Sequence, residues 1–252
     1  MNPRRALVTG AAAGLAAGIA PAIVRDGFAH VAITFRTTPP DETVAAIEAA
    51  GAQASAHRVD FLEDEARVAA ALQSIVETAG PFDAAIHGVG PIVAKRFARM
   101  TPAECREMIA GNLESAVLVA RAVLPAMRER RFGRLVFFGA NGSAQTQPAA
   151  GLSVYGAAKS AVTAFARALA IEEARFGVTV NVIEPGDIRE KRISRERARS
   201  VAAPNPRGRA GSFEDVADVV RFLLAPERDF VTGAVIAVTG GLWTAEAKAP
   251  PQ

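Results

Sequence analysis

Cysteine is almost missing from this 252-residue chain. Cys105 stands alone, so no intrachain disulfide can staple the fold, and a reducing, cytoplasmic setting is expected. Histidine is nearly as scarce: His30, His57 and His87 lie far apart and show no metal-ligand spacing. Neither sign of charge dominates, because 29 basic side chains face 26 acidic ones along most of the sequence, for a net charge of +3. So small an imbalance gives no basic tail, and nucleic acid is not implied as a partner. Long apolar runs are lacking too, with one exception. Arg4 and Arg5 precede an uncharged run over 6–24 that superficially copies a signal peptide. Its Gly10, Gly14, Gly18 and Pro21 suit a strand, a turn and a helix better than a membrane span. No other stretch is expected to cross a bilayer.

Half of the residues are apolar, enough to bury one substantial core. Strand-type apolar runs recur at 5–9, 30–35, 54–59, 82–87, 134–138, 179–183 and 234–238. Stretches with helical spacing lie between most of them, at 41–50, 64–78, 101–130, 154–176 and 213–224. This alternation predicts an α/β fold: a single doubly wound, Rossmann-like parallel sheet of about seven strands with helices on both faces. One domain over 1–244 is expected, with the tail 245–252, AEAKAPPQ, disordered. The ligand crevice of such a sheet lies at the carboxyl ends of its strands.

The first strand ends in Thr9-Gly10-Ala11-Ala12-Ala13-Gly14-Leu15-Ala16. Glycines there let backbone N–H groups approach a pyrophosphate, and the following helix N-terminus adds about half a positive charge. Gly10, Ala12, Gly14 and Leu15 are therefore candidate cofactor contacts, although a Gly-rich turn can also serve tight packing alone. The second strand ends in Arg36-Thr37-Thr38, with no acid where a ribose 2′-hydroxyl would be held. Arg36 beside Thr37 suits a 2′-phosphate and favours NADP(H), the alternative being a solvated arginine at a strand end. Asp60, followed by Phe61, either meets the adenine or caps the next helix. Gly88 completes the set after the fourth strand.

Tyr155 and Lys159 open a long helix, and a separation of four puts phenol and ammonium on one face. The ammonium is expected to pull the phenol pKa down from about 10, so that Tyr155 can protonate a carbonyl oxygen as hydride arrives from a nicotinamide. Tyrosine and lysine at this spacing are common by chance, but this is the chain's one tyrosine.

With TGAAAGLA, YGAAK, Asn112 in GNLESAVLVARAVLPAM, Pro185-Gly186 in VNVIEPGDI and a late VTGAVIAVTGG, the chain resembles the classical-type short-chain dehydrogenases/reductases over nearly its whole length. The segment RGRAGSFEDVADVVRFLLAPERDFVTG resembles the branch containing 3-oxoacyl-[acyl-carrier-protein] reductases. The resemblance implies that Asn112 holds a water linking Lys159 to solvent, and that Ile188, after Pro185 and Gly186, turns its backbone to the nicotinamide carboxamide. Three departures stand out. Ala16 replaces the third glycine of the turn. His87-Gly88-Val89-Gly90 replaces Asn-Asn-Ala-Gly, so the side-chain bonds usual there must be made otherwise. Ala140 falls where the substrate-orienting serine belongs; Ser143, twelve residues before Tyr155, is the favoured substitute, with Asn141 next and no substitute as the third case.

The run 189–199 carries six basic residues against two acidic. It is expected to form a helix over the site, either as a solvated face or as a surface on which Arg192 and Arg195 meet an anionic substrate or an acidic carrier protein. Arg189 stands where the family often has a small hydroxyl residue. The leading function is an NADPH-dependent carbonyl reductase, with 3-oxoacyl thioesters as the best substrate. The alternatives are a reductase of another ketone, alcohol, imine or pteridine, and a non-catalytic NADP(H)-binding sensor or structural subunit. Stretches 101–130 and 154–176 resemble the family's dimerising pair and imply a homodimer or homotetramer.

Overall fold

The computed structural model describes residues 3–147, 149–186, 188 and 193–242; the expected tail 245–252 lies outside them. Apolar runs bounded by Gly and polar turns become seven strands: β1 Arg4–Thr9, β2 Phe28–Phe35, β3 Gln53–Arg58, β4 Ala84–His87, β5 Gly133–Phe138, β6 Val178–Pro185 and β7 Val235–Val238. They form one sheet in the order β3-β2-β1-β4-β5-β6-β7, and every neighbouring pair is parallel. A parallel sheet needs both faces covered. One face packs against α1 (Gly14–Ala22), α2 (Asp41–Ala49) and α8 (Phe213–Leu224), the other against α3 (Glu65–Ala79), α5 (Ser115–Arg130) and α6 (Ser153–Glu173). The order reverses between β1 and β4, and the crevice opens there.

Helix starts follow local chemistry. Thr101 and Glu104 form a capping box before α4 (Pro102–Ile109), with Pro102 in the first turn, and Ser212 with Asp215 does the same for α8. The α1 helix has no such cap, since its N-cap Ala13 offers no side-chain acceptor to the first N–H groups. Two expectations need correction. The stretch 101–130 is not one regular helix: a π-turn, Ala110–Glu114, separates α4 from α5. The same stretch, Pro102–Arg130, is also long and apolar enough to cross a membrane, contrary to the expectation that none was; half of its most apolar window is buried inside the protein, because its apolar side chains serve the sheet-facing core.

Candidate active site

The crevice has two lobes. The larger, about 710 Å³, is lined by Ala13, Gly14, Leu15, Gly88, Gly90, Ala140, Asn141, Gln147, Tyr155, Lys159, Pro185, Gly186 and Ile188, among others. A second lobe of about 630 Å³ shares Ala13, Gly88 and Gly90 and is lined by Gly10, Ala12, Arg36, Thr37, Asp60 and Phe61. The structure thus brings every sequence-predicted cofactor residue to one of two adjoining lobes. Gly10 and Gly14 take the left-handed conformation, with φ of +68° and +67°, which glycine adopts at little cost. A Cβ on Gly10 would come within 3.1 Å of Val89 Cγ2, and one on Gly88 within 2.6 Å of the Ala16 methyl and 2.7 Å of the Thr9 carbonyl oxygen. The Ala16 methyl therefore finds room because residue 88 has no side chain. Together with the uncapped α1 N-terminus, this close approach of bare backbone fits a dinucleotide pyrophosphate. Arg36 and Thr37 are exposed at the end of β2. Asp60 both lines its lobe and accepts the Leu62 N–H at 3.0 Å. Glu107, which sequence reasoning missed, lines the same lobe.

Tyr155 and Lys159 share a face of α6, but the expected downward pull on the phenol is not what the geometry gives. Lys159 Nζ lies 5.9 Å from the Tyr155 ring centroid and donates to the Phe138 carbonyl at 2.8 Å. Burial pushes the Tyr155 phenol above its ordinary value, because removal from water disfavours the phenolate. Asn112 sits in the π-turn, a frequent device at functional sites. Its amide nitrogen donates to the carbonyls of Pro91 and Met108 at 3.0 and 2.9 Å, while its buried Oδ1 has no partner. A Cβ on Gly90 would lie 2.9 Å from Lys159 Nζ and 3.0 Å from Asn112 Oδ1, so the two polar groups converge on that glycine.

Ser143 requires correction as the substrate-orienting hydroxyl. It is buried and absent from the cleft lining, because its Oγ donates to Glu184 Oε1 at 2.7 Å, pairs with Thr163 Oγ1 at 3.0 Å and accepts the Ala140 N–H at 3.2 Å. Asn141 and Ala140 line the cleft instead. Glu184 was missed in sequence reasoning, though a carboxylate closing the apolar run before Pro185 was its signal. His87 supplies the bonds expected to need replacement. Its ring joins Thr9 Oγ1 at 2.8 Å and Ser115 Oγ at 3.0 Å. Ser115 Oγ gives its proton to the Gly111 carbonyl, so His87 donates from Nε2 and accepts at Nδ1, a neutral tautomer assigned from this network.

Beyond the nicotinamide turn, Ile188 N–H bonds the Gly186 carbonyl at 2.9 Å, which leaves the Ile188 carbonyl, rather than its N–H, for a ligand. Among the described residues the basic run is helical over α7 (Arg195–Ala198); residues 189–192, with Arg189 and Arg192, lie outside them. The expectation that Arg195 meets an anionic substrate is corrected. Its guanidinium is held by Asp215 and Asp218 of α8. Asp215 also takes Arg209 and the Ser212 N–H. Burial opposes ionisation there, yet these hydrogen bonds bring Asp215 down to about 2.

A family model described as enoyl-(acyl carrier protein) reductase matches residues 10–243. The chain is 31% identical over 241 residues to the 3-oxoacyl-[acyl-carrier-protein] reductase FabG of Salmonella typhimurium strain LT2, covering 94% of this chain and 96% of that one. It is 34% identical over 252 residues to nodulation protein G of Azospirillum brasilense, with 96% and 99% covered. Among solved structures, a variant of actinorhodin polyketide ketoreductase determined with NADPH superposes with a TM-score of 0.84 at 27% identity, covering 97% of this chain and 98% of that one.

Proposed function

Because the chain belongs to the short-chain dehydrogenase/reductase family and is an oxidoreductase of that type, we propose that it is an NADPH-dependent reductase of carbonyl compounds, with 3-oxoacyl thioesters as its substrate class. One observation carries this reading: the lone tyrosine, with Lys159 four residues on, lines the same lobe as the turn Pro185, Gly186 and Ile188. The relatives named for 3-oxoacyl and polyketide reduction support the substrate class. Arg36 and Thr37, at the rim of the other lobe, support the 2′-phosphate form of the cofactor. When bound, the nicotinamide supplies the hydride.

The chain's own groups handle the proton. Burial keeps the Tyr155 phenol protonated at neutral pH, the state that a donor to a carbonyl oxygen needs. Asn112 Oδ1, unpartnered and facing Gly90 beside Lys159 Nζ, is the acceptor that would hold a water linking Lys159 to solvent, and that water carries the protons. Asn141, in the cleft where Ser143 is not, supplies the hydrogen bond that orients the substrate carbonyl. The protein works in the cytoplasm as a homodimer or homotetramer.

The test is NADPH oxidation over a panel that holds a 3-oxoacyl thioester, a simple ketone, an imine and a pteridine. Tyr155→Phe is expected to lower turnover by about 10²- to 10⁴-fold. The withdrawal of the Ser143 hydroxyl favours a second reading, an NADP(H)-binding subunit without turnover. Tight NADPH binding with no oxidation of any panel member in the wild type would establish that reading instead.

A further inference from the structure

We infer that Glu184 is a positioning residue of the substrate-facing loop, acting through Asn141; the inference rests on the reductase reading for its catalytic consequence and on geometry for the rest. Glu184 is the penultimate residue of β6 and is 3% exposed. Its carboxylate gathers three donors from consecutive residues: Oε1 accepts the Ser143 hydroxyl and the Ala144 N–H, both at 2.7 Å, and Oε2 accepts the Gly142 N–H at 3.1 Å. Bonds to an ionised acceptor are roughly twice as strong as neutral ones. A buried carboxylate is stable only with such donors.

The neighbouring strand end makes room for this clamp. A Cβ on Gly139 would come within 2.6 Å of Ser143 Oγ and 3.2 Å of Glu184 Cγ. Gly142, with φ of +80°, turns the loop so that Asn141 remains at the cleft while residues 142–144 fold onto the carboxylate. The clamp then reaches the helix that carries Tyr155 and Lys159. Ser143 Oγ lies 3.0 Å from Thr163 Oγ1, whose one proton goes either to Ser143 Oγ or to the Lys159 carbonyl, and Ser160 Oγ donates to the Ser143 carbonyl. Loop and helix are thus joined about one to two turns beyond the candidate acid, and the place of Asn141 relative to Tyr155 depends on Glu184. The family's hydroxyl position, Ala140, has no polar side chain of its own to do this.

A double-mutant cycle tests the inference. Glu184→Ala and Asn141→Ala are each expected to lower kcat on the order of 10²-fold, with NADPH affinity changed less than about threefold. The double variant is expected to be no slower than Asn141→Ala, because Glu184 acts only through that residue. Glu184→Gln keeps one oxygen for Ser143 and Ala144 and should fall between wild type and Glu184→Ala; it carries the test if the alanine variant does not fold. Hydrogen exchange at the Gly142 and Ala144 amides should accelerate in both Glu184 variants. Additive losses, an unchanged kcat in Glu184→Gln and Glu184→Ala, or unchanged exchange at those amides would each overturn the inference. Absence of turnover in the wild type would sink the reductase reading alone, since the amide exchange still decides whether Glu184 clamps the loop.

Discussion

At the residue scale, the ammonium of Lys159 and the phenol of Tyr155 behave differently from isolated ones. Lys159 spends a hydrogen bond on the Phe138 carbonyl, and the half-buried Tyr155 phenol holds its proton more tightly than a free tyrosine. The ammonium is thus fixed near the phenol rather than against it. Arg36 is simpler, being exposed at the rim of the second lobe, so its loss should disturb little but the ligand. Arg36→Ala is expected to weaken NADPH binding by about 10- to 100-fold, as loss of a charge-assisted phosphate contact does, and to leave NADH binding unchanged. Fluorescence titration with both cofactors measures this; an equal loss for both would remove Arg36 from phosphate recognition.

At the scale of elements, His87 ties β1, β4 and the first turn of α5 through Thr9 and Ser115, and its ring packs edge-on against Phe61 and Phe137. Burial, with the charge of Lys159 adding to it, pushes its pKa down to about 3. Unfolded, the same imidazole titrates near 6.5. Between those values the unfolded chain binds the extra proton, so stability rises with pH through this window and is lost as pH falls below 6.5. The loss approaches about 1.4 kcal/mol per pH unit for one proton. His30 and His57, also lowered by burial, act in the same direction. Denaturation of wild type and His87→Asn at pH 7, 6, 5 and 4 checks the point: the variant should be less stable at pH 7 but flatter below 6.5. Parallel curves would show that His87 does not carry the slope.

For the whole molecule, two apolar layers enclose the sheet, and α6 leaves one large apolar side chain outside them. Ile171 is 82% exposed there, beside the buried Glu173 that Arg128 of α5 grips. An exposed isoleucine on a helix pair of this kind fits an isologous contact, in which the same patch meets itself. Ile171→Glu would place two like charges near the axis of such a contact and is expected to shift the mass measured by light scattering to a smaller species, with the monomer fold intact by circular dichroism. An unchanged mass would move the interface elsewhere.

Sequence alone determined the seven-strand parallel sheet, and it located the glycine turn after β1 and the common helical face of Tyr155 and Lys159, because each is written in short-range signals: apolar runs broken by turns, glycines at a strand end, a spacing of four. Boundaries slipped where context outweighs propensity. The π-turn around Asn112 interrupts an otherwise continuous helical pattern, and within it Gly111 packs where a Cβ would lie 2.5 Å from Pro91. Only the tertiary structure decided which hydroxyl faces the cleft and which cation is spoken for. Ser143 lies twelve residues before Tyr155, but a carboxylate 41 residues away accepts its hydrogen bond. Arg195 belongs to a basic run, but α8 brings Asp215 and Asp218 to it. Both outcomes follow from partners remote in the chain, whose pull in a buried or half-buried setting exceeds anything that local spacing encodes.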